Sequence, residues 1–315
     1  MSAHHKITQV LTGLGFSKVG FTLAVVPESA QKNFDGWLKK QYHGSMAWME
    51  RGREKRADLQ HVLPGAKTVI CTATNYYTAG DTAEVMPAGR VSRYAWGEDY
   101  HKVIEKRQNE FVTWFQKNFP QESIKAYVDT GPLLEKALAE EAGLGWQGKH
   151  SNLITKEWGS WVFLAEFVTT LAIEPAVPTE DFCGTCTACI DACPTQAIVE
   201  PYVVDARQCL SYLTIEHRGD FTAVDSPTRP LGDAWIYGCD ICQDVCPWNR
   251  FQTESLEPAF LPRPAYRQLT RAAIDALTEN EFQTVFSGSP IRRAKLDGLK
   301  RNVFSITSAS SSGSL

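Results

Sequence analysis

The sequence predicts an α/β domain, then a cysteine-rich module, then a short helical C-terminal segment. Strand-like and helix-like segments alternate over roughly residues 1–175, which is typical of a layered α/β domain. Eight of the nine cysteines fall within the 64 residues from Cys183 to Cys246. From Leu261 onward the apolar residues follow a helical spacing. We therefore expect domains at 1–178, 179–260 and 261–305, followed by a disordered Ser/Gly tail at 306–315.

The elements of the first domain follow from local patterns. Apolar, β-branched runs predict strands, and apolar residues three and four apart predict helices. Gly131 and Pro132 open one of these helices, since proline suits the first turn. The expected strands are 18–23, 67–76, 124–128 and 160–171, and the expected helices are 5–15, 28–41, 98–119 and 131–142. Residues 174–181 read as a linker, and three helices are expected at 269–277, 279–286 and 291–304.

Composition and charge exclude several classes of protein. The 315 residues are 43% hydrophobic and 22% charged, which excludes a disordered or fibrous chain. The net charge of −4 excludes a uniformly basic protein, although Lys and Arg outnumber Asp and Glu over 39–67 and over 263–303. Charge alone favours two solvated faces there. The sequence has no recognisable leader or membrane span, so we expect a cytoplasmic protein with reduced thiols.

The spacing of the cysteines predicts two [4Fe–4S] clusters. The run from Cys183 to Pro194 matches C-x2-C-x2-C-x3-C-P, in which three cysteines hold one cluster and the fourth reaches a second. The second half, from Cys239 to Pro247, lacks one ligand, which Cys209 can supply. The expected ligand sets are Cys183, Cys186, Cys189 and Cys246 for the first cluster, and Cys193, Cys209, Cys239 and Cys242 for the second. Spacing alone leaves the placement of Cys209 open.

Two alternatives and one limit accompany this interpretation. Zinc sites use two separated C-x2-C pairs, which fits the run badly. Cys71 lies in an expected buried strand and is predicted to be a packed thiol.

Iron–sulfur clusters carry single electrons and do not bind a substrate, so the α/β domain should hold a second cofactor or the substrate. No G-x-G-x-x-G follows an expected strand, and no Walker A or Asp-x-His-x-x-Gly motif is present. Spacing therefore indicates an iron–sulfur oxidoreductase or, alternatively, a non-catalytic electron carrier.

Segments outside the cysteine run resemble the epoxyqueuosine reductase family, over about residues 5–305. They are HGSMAWM (43–49), LPGAKTVI (63–70), RYAWGEDYHKVI (93–104), YVDTGPLLEKALAEEAGLGWQGKHSNLI (127–154), CLSYLTIEHRG (209–219), WIYGCDICQDVCPWNR (235–250) and SGSPIRRAKLDGLKRN (287–302). The resemblance implies that the epoxide on the modified wobble base of tRNA is reduced to an alkene, the last step of queuosine synthesis. The rival enzyme class, the reductive dehalogenases, uses similar cofactors but typically carries a twin-arginine leader, which this sequence lacks.

The resemblance also implies the fold, cofactors and partners. It implies a nitroreductase-like cobalamin-binding domain, two [4Fe–4S] clusters and a cobalamin whose cobalt has no histidine ligand. The implied partners are the anticodon stem-loop of a tRNA that carries epoxyqueuosine, and a low-potential electron donor of unknown identity. We expect a monomer. The basic stretches 39–67 and 263–303 then become candidates for contact with the tRNA backbone.

Family resemblance assigns roles to individual residues. Asp129 matches the proton donor, and we expect burial under the corrin ring to raise its pKa and keep it protonated. The alternative is that Asp129 caps backbone N–H groups of the helix expected at Pro132. The resemblance also links further residues to cobalamin or substrate contact, namely Tyr94, Asp99, Tyr100, His101 and Lys149. For every residue other than Asp129, an ordinary surface or core role is the alternative. The implied cobalamin contacts are Arg93, His150, Ser151, Asn152, Ser211 and Asp240, and the implied tRNA contacts are Glu216 and Arg218.

Overall fold

The computed structural model describes residues 2–221 and 234–310, and side chains as far as residue 305. Its ten described strands are short apart from two of eight residues. They are β1 Lys18–Leu23, β2 Thr68–Asn75, β3 Arg90–Val91, β4 Ile124–Tyr127, β5 Trp146–Gln147, β6 Leu153–Ile154, β7 Val162–Thr169, β8 Ile198–Glu200, β9 Val203–Val204 and β10 Trp235–Tyr237. The helices are α1 Ala3–Gly13, α2 Glu28–Lys39, α3 Trp48–Arg51, α4 Arg53–Ala57, α5 Thr82–Val85, α6 Tyr100–Asn118, α7 Glu135–Glu141, α8 Ala188–Asp191, α9 Leu210–Ile215, α10 Ile241–Asp244, α11 Arg271–Ala276, α12 Glu279–Val285 and α13 Lys295–Ser310.

A four-stranded antiparallel sheet organises the first domain, with the strand order β1-β2-β7-β4. Every residue of β2 is buried, because helices cover both faces of the sheet. Ile70 packs with α1 and α6 on one face, while the neighbouring Cys71 packs with α7 on the other. The predicted strands and the buried position of Cys71 are confirmed.

The largest differences from the expected helix boundaries occur in α7 and α13. The helix expected at Pro132 begins at Glu135, because residues 129–134 form a bent segment before it. Gly131 in that segment packs so closely that a Cβ atom there would lie 2.7 Å from the Tyr127 ring. The C-terminal helix α13 runs through Ser310, beyond the expected end at residue 304. Of the expected tail at 306–315, residues 306–310 therefore continue this helix, and residues 311–315 lie outside the described residues.

The cysteine module and the C-terminal helices share a second core with residues 85–96. Strand β10 pairs in parallel with β3, which joins the module to the first domain. The fully buried side chains Trp96, Tyr237, Tyr266 and Phe282 belong to this one core. The domain limits at 178 and 260 stay a prediction, and residues 174–181 form neither helix nor strand, as expected of a linker. None of the described helices is long and apolar enough to cross a membrane.

Candidate functional site

The eight cysteines of the module form two separate groups of four. Burial, and then the nearby Cys246, Cys183 and Cys186, raise the pKa of Cys189 to about 11. Burial, and then Cys209, Cys239 and Cys193, raise the pKa of Cys242 well above its usual value. The outer group is therefore Cys183, Cys186, Cys189 and Cys246, and the inner group is Cys193, Cys209, Cys239 and Cys242. Cys209 thus lies with the inner group, a placement that spacing alone leaves open, and the ligation of iron by these eight thiols stays a prediction.

Each group offers the four thiols that a [4Fe–4S] cluster requires. Thiolates around a four-iron cube stand farther apart than the ligands of one ion. Within the described residues, no three His, Cys, Asp or Glu side chains converge closely enough to hold a single metal ion. The loop of the outer group is held by the buried Lys149, whose Nζ donates to Gly184 O (2.6 Å) and Cys186 O (2.9 Å). The sequence did not single out this loop contact.

A cleft of about 1670 Å³ opens between α2, the bent segment 129–134 and residues 288–295. It exceeds the roughly 300–1,000 Å³ of sites for drug-sized ligands, so it has room for a larger group. Seven of the residues that the resemblance assigned to cofactor, substrate, catalysis or tRNA line this cleft: Tyr94, Asp99, Tyr100, His101, Asp129, Ser151 and Glu216.

The bent segment presents Asp129 to the cleft. Asp129 has a left-handed backbone with φ of 54°, and its N–H donates to Glu135 Oε1 at 2.8 Å. Its side chain is 58% exposed, so the carboxylate faces the open cleft. The carboxylate makes no cap for α7, which begins without a side-chain cap. Asp129 is thus held outward by its own turn, and the capping alternative does not describe its contacts.

His101 connects Asp129 to a second carboxylate. Its Nε2 lies 3.2 Å from Asp129 Oδ2, and its Nδ1 lies 2.7 Å from Asp99 Oδ1. Burial acts to lower the pKa of His101, but the bonds to Asp129 and Asp99 outweigh it and raise the pKa to about 9. His101 therefore carries a proton at neutral pH, between two carboxylates.

The expected rise in the pKa of Asp129 is wrong for this structure. Burial acts to raise that pKa, but the hydrogen bond and charge of His101 outweigh burial and lower it. The Tyr100 hydroxyl and the Lys136 ammonium also act to lower it. Asp129 is consequently ionised at neutral pH, and the protonated His101 lies one hydrogen bond away.

An acid pair lies behind Asp129, formed by the half-buried Glu135 and the fully buried Glu166. Burial and the nearby Asp129 raise the pKa of Glu135 to about 7. Burial and the nearby Glu135 raise the pKa of Glu166 well above its usual value. Glu166 is fully buried on β7, and neither carboxyl oxygen has a hydrogen-bond partner of normal geometry. In the sequence, the only signal of this pair was a glutamate interrupting an apolar strand.

The other implied cobalamin contacts lie outside the lining of the cleft. Asp240 accepts from the backbone N–H of Arg93 at 2.8 Å, while the Arg93 guanidinium donates to Thr78 O at the same distance. The ring of the buried His150 accepts from the N–H of Asn152 at 3.1 Å, and burial lowers the pKa of His150 to about 4. Ser211 is half-buried in α9, two residues from Cys209. Cobalamin contact by these residues stays a prediction.

Both basic stretches meet at the rim of the cleft. Arg293, from the second stretch, lies 5.0 Å from the ring centre of Trp48, which belongs to the first. Arg293 also pairs with Glu216 at 2.7 Å, and Arg218 donates to the backbone oxygen of Arg293 at 2.8 Å. The fold thus joins the implied tRNA residues and the two basic stretches into one surface.

Eight cysteines in two groups, with a proton-carrying cleft beside them, define an iron–sulfur oxidoreductase with a double-cluster domain. Two family models match the chain. "Epoxyqueuosine reductase QueG, DUF1730" covers residues 56–130, which include Asp129, and "4Fe-4S double cluster binding domain" covers residues 182–249.

Relatives named epoxyqueuosine reductase match almost the whole chain. The epoxyqueuosine reductase of Gloeobacter violaceus is 46% identical, over 94% of this chain and 93% of its own length. That of Escherichia coli K12 is 44% identical, over 91% of this chain and 76% of its own length. The chain belongs to the epoxyqueuosine reductase family.

Solved structures agree with this membership. A crystal structure of epoxyqueuosine reductase with an epoxyqueuosine-modified tRNA-Tyr stem loop superposes with a TM-score of 0.86 at 31% identity, covering 96% of this chain and 80% of that one. The Streptococcus thermophilus enzyme gives 0.83 at 30% identity, over 97% of this chain and 80% of its own.

Proposed function

We propose that this chain reduces epoxyqueuosine to queuosine at the wobble base of tRNA. The proposal depends on one observation: hydrogen bonds join Asp99, His101 and Asp129 in a line that ends in the cleft. The reduction consumes two electrons and two protons and releases water. The departing epoxide oxygen needs a proton, and a positioned acid supplies one.

His101 and Asp129 divide the work of proton delivery. His101 holds a proton between its Nε2 and Asp129 Oδ2, and Asp99 fixes the ring from the other side. Asp129 receives that proton and presents it to the leaving oxygen, because its carboxylate faces the cleft. The left-handed turn, held by Glu135, keeps the carboxylate in this position.

The cleft suits a cobalamin. Its volume of about 1670 Å³ has room for a macrocycle, and Asp129 and Ser151 line it. Among the described lining residues the one histidine is His101, and both of its ring nitrogens bond to carboxylates. When bound, cobalamin supplies a reduced cobalt that delivers electrons to an epoxide carbon.

The rim of the cleft is the surface on which we base the proposed RNA partner. The rim formed by Trp48, Glu216 and Arg293 is our proposed seat for the anticodon stem-loop, because an arginine and an exposed aromatic ring suit phosphate and an extruded base. Electrons enter through the two clusters from a low-potential donor. We propose a cytoplasmic monomer.

The test is anaerobic reconstitution with iron, sulfide and cobalamin, then reduction with dithionite in the presence of an epoxyqueuosine-containing stem-loop. Nucleoside mass spectrometry should show the loss of one oxygen atom, and an unmodified stem-loop is the control. Reduction of an organohalide but not of the RNA would favour a dehalogenase. Clusters that cycle without reducing either would favour an electron carrier.

A further inference from the structure

The outer cysteine group lies close to solvent. Cys186 is exposed, whereas the other cysteines of the module are half-buried or buried. The buried Trp146 packs against Cys183 and Cys246 of the same group. Electron transfer between proteins needs a redox centre close to a contact surface, so the surface beside this group is where a donor can act.

An aromatic strip runs from the outer group to the surface. The ring centres of Trp146 and Trp248 are 4.8 Å apart, and Trp248 lies 5.8 Å from both Phe182 and Phe251. Phe182 is 38% exposed and Phe251 is 44% exposed. Neighbouring exposed aromatic side chains are typical of an interaction surface.

Two cations border this strip. Lys156 Nζ lies 4.3 Å from the ring centre of Phe182, and the Arg250 guanidinium lies 4.6 Å from that of Phe251. In the part of the chain that the structure describes, no carboxylate pairs with either cation. The adjacent Glu157 is already paired with Lys18 at 2.8 Å. The border therefore offers positive charge to a partner.

We propose that these five residues form a docking face for a small, acidic electron-carrier protein. The docking face comprises Phe182, Trp248, Phe251, Lys156 and Arg250. An apolar centre with charged edges is how interfaces combine contact with orientation, and transient redox complexes use small interfaces. The inference rests on the proposed function, because it names the partner that supplies that reaction's electrons.

The electron count is one per docking event. A reduced carrier loses one electron and the oxidised outer cluster gains it, after which the electron passes to the inner cluster. Two such events supply the two electrons for each epoxide. Negative charge on the carrier and positive charge at the docking face accelerate encounter, and salt screens this effect.

The test follows cluster reduction in the reconstituted holoprotein by stopped-flow absorbance. The probe is a flavodoxin with net negative charge, reduced to its hydroquinone, and dithionite is the chemical reductant for comparison. Lys156→Glu combined with Arg250→Glu should slow reduction by flavodoxin roughly tenfold at low salt, and Phe251→Ala should slow it less. Reduction by dithionite should not change.

The matched control is Lys106→Glu combined with Lys117→Glu, two exposed positions on α6 with the same change in net charge. Equal rates in this control and in the docking-face variant would overturn the proposal, as would equal slowing with both reductants. So would loss of stem-loop affinity with unchanged reduction by flavodoxin, which would make the face an RNA contact. Failure of dithionite-driven epoxide reduction in the unsubstituted chain would instead overturn the proposed function.

Discussion

The cysteine module and the cleft differ in how the negative charges of their side chains are balanced. In the module, burial and neighbouring thiols push the pKa of Cys242 upward, and the Lys136 ammonium offsets burial at Cys209 only in part. In the cleft, the protonated His101 stands between Asp99 and Asp129 and offsets their charge. The module therefore needs iron to complete it, whereas the cleft is balanced by its own side chains before any ligand binds.

The two regions also differ in how the chain builds them. The ligands of the module come mostly from two short runs, one closing at Cys193 and the other at Cys246. The cleft combines α2, α6, the segment 129–134 and the residues before α13. Loss of one side chain should consequently remove a whole cofactor from the module, but only one step or one contact from the cleft.

The largest effect should come from Cys209→Ser, which breaks the inner group. Bound iron should fall by about half, because one of two [4Fe–4S] clusters loses a ligand, and turnover should be abolished. Iron analysis and the stem-loop assay measure both. Cys71→Ala is the control, since Cys71 is packed in β2 and should leave the iron content unchanged. Full iron content in Cys209→Ser would contradict the grouping.

Asp129→Asn should impair the chemistry of the cleft and leave the cysteine module unchanged. Turnover should fall by about 10²–10⁴, the usual contribution of a positioned acid or base. Iron content should stay at the unsubstituted level, because Asp129 belongs to neither cysteine group, and cobalamin content should stay there because asparagine has the size of aspartate. Retained turnover would remove Asp129 from the mechanism and leave the cleft without its acid.

The role of His101 should appear as a pH dependence. Its pKa is raised above the ordinary value to about 9, so its proton, and the folding stability that the two bonds contribute, is present below about pH 6.5 and lost as pH rises through about 9. Turnover should fall over that alkaline range. His101→Gln should lower turnover roughly tenfold or more and abolish that alkaline fall, and an unchanged pH profile would exclude His101 as the proton source.

Arg293→Ala should weaken RNA binding without affecting chemistry. The dissociation constant for the stem-loop should rise severalfold, and the salt dependence of binding should drop by about one phosphate contact. The rate at saturating RNA should stay within about twofold. Arg267→Ala is the control, an exposed arginine of the same basic stretch. Equal affinities in the two variants would place the RNA elsewhere.

The smallest effect should come from Glu166→Gln. The folded-state pKa of Glu166 is raised, so the native glutamate loses stability as pH rises above about 4.5, on the order of 1 kcal/mol per pH unit per proton. Glutamine does not titrate, so the Tm advantage of the variant should grow between pH 5 and pH 7. A Tm difference independent of pH would mean that Glu166 is ionised in the fold.

Much of the sheet could be predicted, since β1 matches its expected range and β2 and β7 lie within theirs. The start of α7 could not be predicted, because the rule that places proline in a first helical turn is local. It takes no account of the packing of Gly131 on Tyr127. The proton-holding position of His101 could not be predicted either, because one of its two carboxylate partners is 28 residues away in the sequence.

The sequence by itself determined the local chemistry of this protein: cysteines at fixed short gaps, a strand-rich first domain, and segments that define the family. Short spacings suffice for this, because the geometry of a few bonded residues is nearly independent of the rest of the chain. Only the tertiary structure decided which state Asp129 adopts and where the basic stretches meet. A pKa and a surface depend on what lies within a few ångströms in space, and for Asp129 that neighbour is a protonated histidine from another helix.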